Sequence, residues 1–456
     1  MSLKNLNIVI LAAGKGTRMQ SVMPKVLHRL AGKPLLAHVI DAAKALNPSK
    51  MVVVYGYGGD AVPKAFTLED IAWVEQKEQL GTGHAVLQAV PHLDDDGTTL
   101  ILLGDVPLLN LQSCLSLLEK TEALGLLTVT KQNPTGYGRI VRNPQQQILA
   151  IVEHKDGTDA QRAIAEVNTG IIAVNNKNLK AWLSKLSNHN AQGEYYLTDI
   201  VAMAVNDGLN VVAEISHDEA SVEGVNSKAD LAGLERVYQS RYAQTLMQAG
   251  ATLADPNRID VRGILTVGKD VEIDVGCVFE GQVTLADGVR VGPYCVIKDS
   301  SIGAETVIAA FTHIDQARVE SHCRIGPYAR LRPGAEIADE AHVGNFVEIK
   351  NSQVGSNSKV NHLSYIGDAT IGKNVNIGAG TITCNYDGVN KYKTVIEDDV
   401  FIGSDTQLVA PVVIGEGATI AAGSTITKNA PAGQLTFCRA KDQKSIAGWK
   451  RPKKNN

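Results

Sequence analysis

From residue 267 onward the hydrophobic positions of the chain keep a beat of six. Val267, Ile273, Phe279, Leu285, Val291 and Ile297 follow one another at that spacing. One residue is dropped before Ile302, Ile308 and Ile314, and another before Val319, Ile325, Leu331, Ile337, Val343 and Ile349. A third is dropped before Val354, Val360 and Ile366; after Ile371 and Ile377 an insertion interrupts, and the beat resumes at Ile396, Ile402, Leu408, Ile414, Ile420 and Ile426. Neither a helix near 3.6 residues per turn nor an alternating strand carries this period. A parallel β-helix does, because each coil is a few short strands and each aliphatic stacks on its equivalent in the next coil. The short steps come after whole multiples of three beats, which predicts three hexapeptides per coil. Glycine often follows the marked residue, as at Gly268, Gly292, Gly326, Gly344 and Gly378, and is expected to give the backbone freedom at corners.

The first half of the chain is patterned differently. Short aliphatic runs at residues 7–11, 51–55, 100–103 and 125–129 alternate with helical stretches, the rhythm of a doubly wound, mostly parallel sheet. Between the halves, Leu231, Leu234, Val237, Tyr238, Tyr242 and Leu246 recur at helical spacing and predict a linker helix. The expected architecture is therefore α/β plus all-β. Residues 1–227 form a Rossmann-like domain, 228–249 a linker helix, and 250–456 a β-helix with a C-terminal tail.

Composition changes this picture little. A chain of 456 residues has room for two or three domains. A net charge of −4 argues against a nonspecific nucleic-acid coat. No long apolar run is present, so neither a signal peptide nor a membrane span is expected. Six widely spread cysteines without metal-ligand spacing read as buried or incidental thiols in a reducing compartment, and the expected location is cytoplasmic.

Candidate chemistry begins where the first aliphatic run ends, in Leu11-Ala12-Ala13-Gly14-Lys15-Gly16-Thr17-Arg18-Met19. A buried strand followed by a small, Gly-rich, basic loop presents backbone N–H groups to phosphate. The glycine spacing matches neither a P-loop nor the dinucleotide fingerprint, and taken alone such a loop is equally an ordinary solvated turn. Pro24-Lys25-Val26 adds a second cation. Asp105, directly after Leu102-Leu103-Gly104, stands where an α/β sheet binds ligands; it suits Mg²⁺, which takes one or two carboxylates plus phosphate oxygens, or else caps the next turn. In the repeat, Arg332, Lys350 and His362 fall 18 and 12 residues apart, separations that return side chains to nearby faces. Tyr365 follows His362, and Glu348, about one coil earlier, is placed to orient the imidazole; the other reading is a structural histidine. The insertion between Ile377 and Ile396 is expected to leave the coil as a functional loop. The basic end from Trp449 to Lys454 reads as a solvated tail or an arm over a coenzyme site.

In order, the motifs LAAGKGTRM, PKVL, EQLGTGHA, GDVP, PTGYGR, VEHKD, EVNTG and EGVN resemble those of sugar-1-phosphate nucleotidyltransferases. The six-residue repeat resembles the left-handed β-helix of hexapeptide acyltransferases, whose prisms usually pack in threes. Together, over essentially the whole chain, they resemble the bacterial bifunctional N-acetylglucosamine-1-phosphate uridyltransferase/glucosamine-1-phosphate acetyltransferase family, which makes UDP-N-acetylglucosamine for peptidoglycan and lipopolysaccharide. The resemblance implies UTP and acetyl-CoA as substrates, Mg²⁺ as cofactor and a homotrimer. It implies that Leu11, Ala12, Ala13 and Gly14 line the UTP site, that Arg18 and Lys25 neutralise phosphates, and that Gln76, Gly81 and Thr82 read uracil. Asp105 and Asn226 would hold Mg²⁺, beside Leu103 and Gly104, and Gly138, Glu153 and Asn168 the sugar. Related enzymes often carry Tyr where this chain has Leu103, so a hydroxyl is lost there. In the repeat, His362 would be the general base, Arg332 and Lys350 would bind the sugar phosphate, and Tyr365 and Asn376 the sugar. Ala379, Asn385, Tyr386, Ser404, Ala422 and Arg439 would contact acetyl-CoA. The alternative is a sugar-1-phosphate nucleotidyltransferase whose β-helix is purely structural.

Overall fold

The structure is a computed structural model that describes residues 5–68 and 70–439. The basic end from Trp449 to Lys454 lies outside the described residues. The chain divides into two compact units between Tyr238 and Gln239.

The first unit is built on a sheet in which Leu6–Ala12 is an interior strand. On one side Lys50–Tyr55 and then Ala72–Glu75 pair parallel to it, and on the other Thr98–Leu103 does the same. Apart from the half-buried edge strand Ala72–Glu75, these are mostly runs of Val, Ile and Leu buried on both faces, as a parallel sheet covered by helices requires. The order reverses at Leu6–Ala12, so the loops after its two neighbours leave in opposite directions and open a crevice at the strands' carboxyl ends. Beyond Thr98–Leu103 the pattern departs from a purely parallel sheet. Glu166–Asn175 pairs antiparallel with both Thr98–Leu103 and Leu124–Thr130, with a register shift between Asn168 and Ile172. A hairpin of Arg139–Arg142 and Ile148–Val152 joins it at Val167.

The predicted helix forms over Lys228–Gln248. Leu234 belongs to a small core with Met19, Leu30, Leu35 and Val225 in the first unit. The Glu235 carboxylate accepts from the Ala31 amide at 2.7 Å. Ala243 and Leu246 belong instead to the core of the second unit. There the Gln239 side chain bonds both the amide and the carbonyl of Val261.

In the second unit short parallel strands stack in three columns. One runs from Thr252–Leu253 through Glu272–Ile273 and Arg290–Val291 to Leu435–Thr436; the other two share a single continuous sheet. Partners are separated by one coil, as in Arg290↔Val307 and Arg324↔His342. The aliphatics of the beat from Ile273 to Ile426 are buried in one continuous core, with Val267 packed against its end. Fully burying each such side chain contributes about 1.5–3 kcal/mol.

Two features of the coil differ from the sequence expectation. The beat does not stop at Ile377: Thr383 is fully buried at the next position. Its hydroxyl accepts from the Gly367 amide at 2.8 Å and donates to the Gly367 carbonyl at 3.0 Å. The strand Ile382–Cys384 stays in the stack between Tyr365 and Gln407, so the excursion begins only afterwards. The glycines after the beat also serve a different purpose. Of the five named above only Gly326 has a left-handed φ; a Cβ at Gly344 would lie 2.0 Å from the Asn361 carbonyl oxygen, and one at Gly303 2.5 Å from the Glu320 carbonyl carbon. They let consecutive coils approach. Left-handed corners are held by larger residues, including Tyr294, Phe311, Tyr328, Phe346 and Leu363, whose cost is offset by inter-coil bonds such as Phe311 N to Pro293 O at 3.0 Å.

Two residues before most beats sits a small buried residue, and Cys277, Cys295 and Cys323 occupy that position. Each thiol donates to a carbonyl in the next coil, and burial pushes them up to about 11, 12 and 11. All six cysteines are free. Among the described residues no helix is long and apolar enough to cross a membrane.

Candidate active sites

The crevice at the carboxyl ends of the first unit's strands is a cleft of about 480 Å³. Leu11, Ala12, Ala13, Gly14, Lys25, Gln76, Gly81, Thr82, Leu103 and Asp105 line it, all of them anticipated from sequence. Lys15, from the same Gly-rich basic loop, lines it as well, and so do Gln79 and Glu194, which were not anticipated. Gln76 is buried; its amide nitrogen donates to the Gly81 carbonyl at 3.2 Å and faces His84 Nδ1 at 3.0 Å. Its carbonyl oxygen is left to accept from a ligand. Gly104, between Leu103 and Asp105, is not itself part of the cleft lining; its amide bonds the Leu11 carbonyl at 2.9 Å. Arg18 is exposed on the short turn Thr17–Met19, outside the cleft lining.

Beside the cleft, Asp105 and Asn226 meet on one cation. The Lys25 ammonium donates to the Asp105 carboxylate and, at 3.2 Å, to Asn226 Oδ1. The Val225 amide bonds the Asp105 main-chain carbonyl at 2.9 Å and locks the two segments together. A carboxylate and an amide oxygen converging on a point that holds a positive charge fit a hard divalent cation completed by phosphate oxygens. Among the described residues no group of three or more His, Cys, Asp and Glu forms a closed metal cage.

Gly138, Glu153 and Asn168 are brought together by the hairpin. The Asn168 amide bonds the Gly138 carbonyl at 2.8 Å, and a Cβ on Gly138 would lie 3.3 Å from Glu153 Oε1. Thr198, missed by sequence reasoning, donates to that same oxygen at 3.1 Å. Burial, reinforced by Asp156 and Asp199, raises the Glu153 carboxyl above the ordinary glutamate range. Leu103 packs over Gly170, where a Cβ would lie 2.7 Å from its side chain.

In the second unit the candidate residues occupy two columns. Glu348 pairs in register with Tyr365, and Lys350 with Gly367. Arg332 donates to Glu348 Oε1 at 2.7 Å, and Arg330 approaches its other oxygen at 3.5 Å. The expectation that Glu348 orients His362 is therefore corrected: two arginines already hold that carboxylate. The imidazole's partner is Asn345, in register one coil earlier, whose Oδ1 lies 2.8 Å from Nδ1. That contact makes Nδ1 the donor and leaves Nε2, on an exposed side chain, as the proton acceptor. Sequence reasoning missed Asn345, although it stands 17 residues, one coil, before His362. Asn376 lies in the other column, paired with Lys359 and Phe401, and not beside Arg332 and Lys350.

The insertion supplies a cation that sequence reasoning passed over. Lys391 lies beside Lys350, whose charge lowers its ammonium. Burial opposes the ionised form of nearby Asp368, but Asn351, Asn385 and the two lysines hold its carboxyl below the usual range. The Asn385 amide is buried and spent on Asp368, whereas Tyr386 is exposed. Above His362 the corner of the coil is lined by small residues. The Gly380 amide bonds the His362 carbonyl, Asp405 N bonds Ala379 O, and Gly423 N bonds Ser404 O. Ala379, Ser404 and Ala422 thus rise along one edge, and Arg439 Nη1 reaches Ser424 Oγ at 2.9 Å.

Comparison with known proteins agrees with this division. Residues 8–169 match the model of the MobA-like NTP transferase domain, and residues 393–428 that of the bacterial transferase hexapeptide (six repeats). The chain is 68% identical over 449 residues to the bifunctional protein GlmU of Methylobacillus flagellatus, covering 98% of each chain. It is 59% identical to that of Herminiimonas arsenicoxydans, over 98% of this chain and 99% of the relative. With that of Nitrosospira multiformis the identity is 58% over 99% of each.

Proposed function

The chain belongs to the family of bifunctional GlmU proteins, and from that premise we infer how its two sites divide the work. The protein is an enzyme with two transferase activities that make UDP-N-acetylglucosamine. One moves acetyl from acetyl-CoA to the amine of glucosamine-1-phosphate. The other joins N-acetylglucosamine-1-phosphate to the uridyl group of UTP and releases pyrophosphate. We assign uridyl transfer to the first unit and acetyl transfer to the second.

In the first unit a phosphate oxygen of the sugar substrate attacks the α-phosphorus in line, and no protein nucleophile is required. Leu11, Ala12, Ala13 and Gly14 cradle the nucleotide, Gln76, Gly81 and Thr82 take the base, and Leu103, next to Gly104, closes the floor. Arg18 and Lys25 offset phosphate charge. Asp105 and Asn226 would hold Mg²⁺, which supplies charge stabilisation at the phosphates when bound. Gly138, Glu153 and Asn168 hold the sugar. The observation that carries this assignment is the meeting of Asp105, Asn226 and a cation beside a cleft at the sheet's point of reversal.

In the second unit Arg332, Lys350 and Lys391 take the sugar phosphate. His362, its Nδ1–H held by Asn345, accepts the amine proton at Nε2, because an ammonium cannot attack a thioester. Tyr365 and Asn376 hold the sugar, and Ala379, Tyr386, Ser404, Ala422 and Arg439 the coenzyme; Asn385 supports that site by fixing the insertion on Asp368. Asn376 and Arg332 lie in different columns and more than two coils apart, which supports a homotrimer in which neighbouring copies share a site. The six-residue repeat supports a left-handed β-helix, and free buried thiols support a cytoplasmic location.

The test is a product profile by mass spectrometry with glucosamine-1-phosphate, acetyl-CoA, UTP and Mg²⁺. UDP-N-acetylglucosamine, free coenzyme A and pyrophosphate are expected together. Pyrophosphate release from N-acetylglucosamine-1-phosphate without any coenzyme A release would leave the second unit a structural domain.

A further inference from the structure

Three side chains near the first unit's site have no part in the assignments above. Lys131 follows the strand Leu124–Thr130, and its side chain is 8% exposed. Its ammonium is held by the carboxylates of Glu219 and Glu223 and stands 5.0 Å from the centre of the Tyr137 ring. The Tyr137 hydroxyl donates to the second oxygen of Glu223 at 2.9 Å. Burial and the Glu223 charge push that hydroxyl up to about 12, so it remains a donor throughout the working range of pH.

Such a bond is worth having only for what its two ends carry. Tyr137 directly precedes Gly138, the main chain placed against Glu153 and Asn168. Glu223 opens the segment Glu223-Gly224-Val225-Asn226, whose last residue shares a cation with Asp105. Tyr137 stands between Gly136 and Gly138, and Gly136 has a left-handed φ of 87°; the turn is closed locally by the Tyr137 amide on the Pro134 carbonyl at 3.2 Å, and the hydroxyl is what ties it to a segment remote in sequence. Packing alone would be served by phenylalanine. A hydroxyl aimed at a carboxylate, with a buried counter-ion behind it, instead fixes one distance.

We propose that Tyr137 and Glu223, with Lys131 as counter-ion, are positioning residues of uridyl transfer, whose hydrogen bond sets the spacing between the sugar-holding main chain at Gly138 and the metal-holding amide of Asn226. This rests on the functional reading given above. The bond forms no part of the nucleotide cleft, since neither residue lines it. Its loss should therefore loosen sugar and metal and spare UTP.

The test uses the full chain with Tyr137→Phe. Loss of one hydrogen bond to a charged group predicts a rise of about tenfold to a hundredfold in the KM for N-acetylglucosamine-1-phosphate. A similar weakening of Mn²⁺ binding, read by electron paramagnetic resonance without substrates, should accompany it. The KM for UTP should stay within about twofold, and acetyl transfer should be unchanged. Glu223→Gln, which can still accept from Tyr137, should lose less than Glu223→Leu on both readouts. A Tyr137→Phe variant that melts lower but keeps both constants would overturn the proposal, because the bond would then only stabilise the fold. Should the parent protein make no UDP-sugar, the functional reading fails; Mn²⁺ binding still decides the strut, weakened binding supporting it and unchanged binding overturning it.

Discussion

The two units build their sites by opposite means. In the first, the groups that meet are far apart in sequence: Lys25 is 80 residues from Asp105 and 201 from Asn226. Each sits in a different loop, and the sheet brings the loops to one edge. In the second, the groups that meet are about one coil apart: Arg332 and Glu348 by 16, His362 and Asn345 by 17. There the repeat itself is the ruler. The first arrangement half-buries its charges, with Lys25 and Asp105 side chains 13% and 16% exposed. The second leaves its candidate base open to solvent. An irregular sheet can thus enclose a charged phosphoryl reaction, whereas a regular coil offers an edge on which small residues and a few polar ones are placed in sequence.

The sharpest way to break this comparison is Asp105→Ala. Removing the carboxylate from the candidate metal position should lower uridyl transfer by roughly 10³-fold or more, with acetyl transfer intact. A coupled pyrophosphate assay on the full chain checks it, and near-normal turnover at ordinary Mg²⁺ would show that the edge of the sheet is not the metal site.

His362→Ala tests the other unit. Acetyl-transfer turnover should fall by about 10²–10⁴-fold, as for loss of a general base, while uridyl transfer holds. The KM for acetyl-CoA should move little. The decline in turnover on the acid side, which protonation of a base imposes, should vanish with the ring; a variant that keeps rate and decline has its base elsewhere.

Thr383→Val asks whether the beat tolerates its one hydroxyl for a reason. An aliphatic belongs at that position by pattern, yet valine would leave the Gly367 amide buried without a partner. The second unit should lose about 1–3 kcal/mol in denaturant unfolding, and a neutral or stabilising outcome would mean that the coil relaxes around the loss.

Glu153→Gln is the mildest. Burial raises the Glu153 carboxyl in the folded state, so folding favours its protonated form. The resulting penalty is absent below the ordinary glutamate range and grows as pH rises through the folded value. At pH 7.5 the variant should melt a few degrees higher than the parent, the gain fading toward acid, while the KM for the sugar phosphate rises. A gain that is independent of pH would locate the effect in packing.

Much of the fold was legible in the residues. The aliphatics from Ile273 to Ile426 fell where the beat put them, and the four aliphatic runs of the first half became strands of one sheet, three of them adjacent and the fourth beyond Glu166–Asn175. The helix over Lys228–Gln248 lies within one residue of its expected ends. Misreadings cluster where local spacing gives no information. Thr383 was overlooked because a hydroxyl breaks a hydrophobic pattern, although its bonds to Gly367 let it be buried. The glycines were read for backbone freedom, whereas most of them answer to the closeness of the next coil. Glu348 was matched to His362 by coil distance alone, and two arginines claimed it.

Periodicity is a property of neighbours along the chain, so the sequence by itself determined the repeat, the strand runs, the helix and the ordered motifs. Which groups touch across 80 or 201 residues depends on the strand order and on the turns that end each strand. Only the tertiary structure decided that Lys25 stands between Asp105 and Asn226, that Asn345 holds His362, and that Asn385 is spent on Asp368. The physical reason is that such contacts are chosen by competition. A buried donor takes the acceptor that the folded backbone brings within about 3 Å, and no spacing along the chain specifies which one that will be.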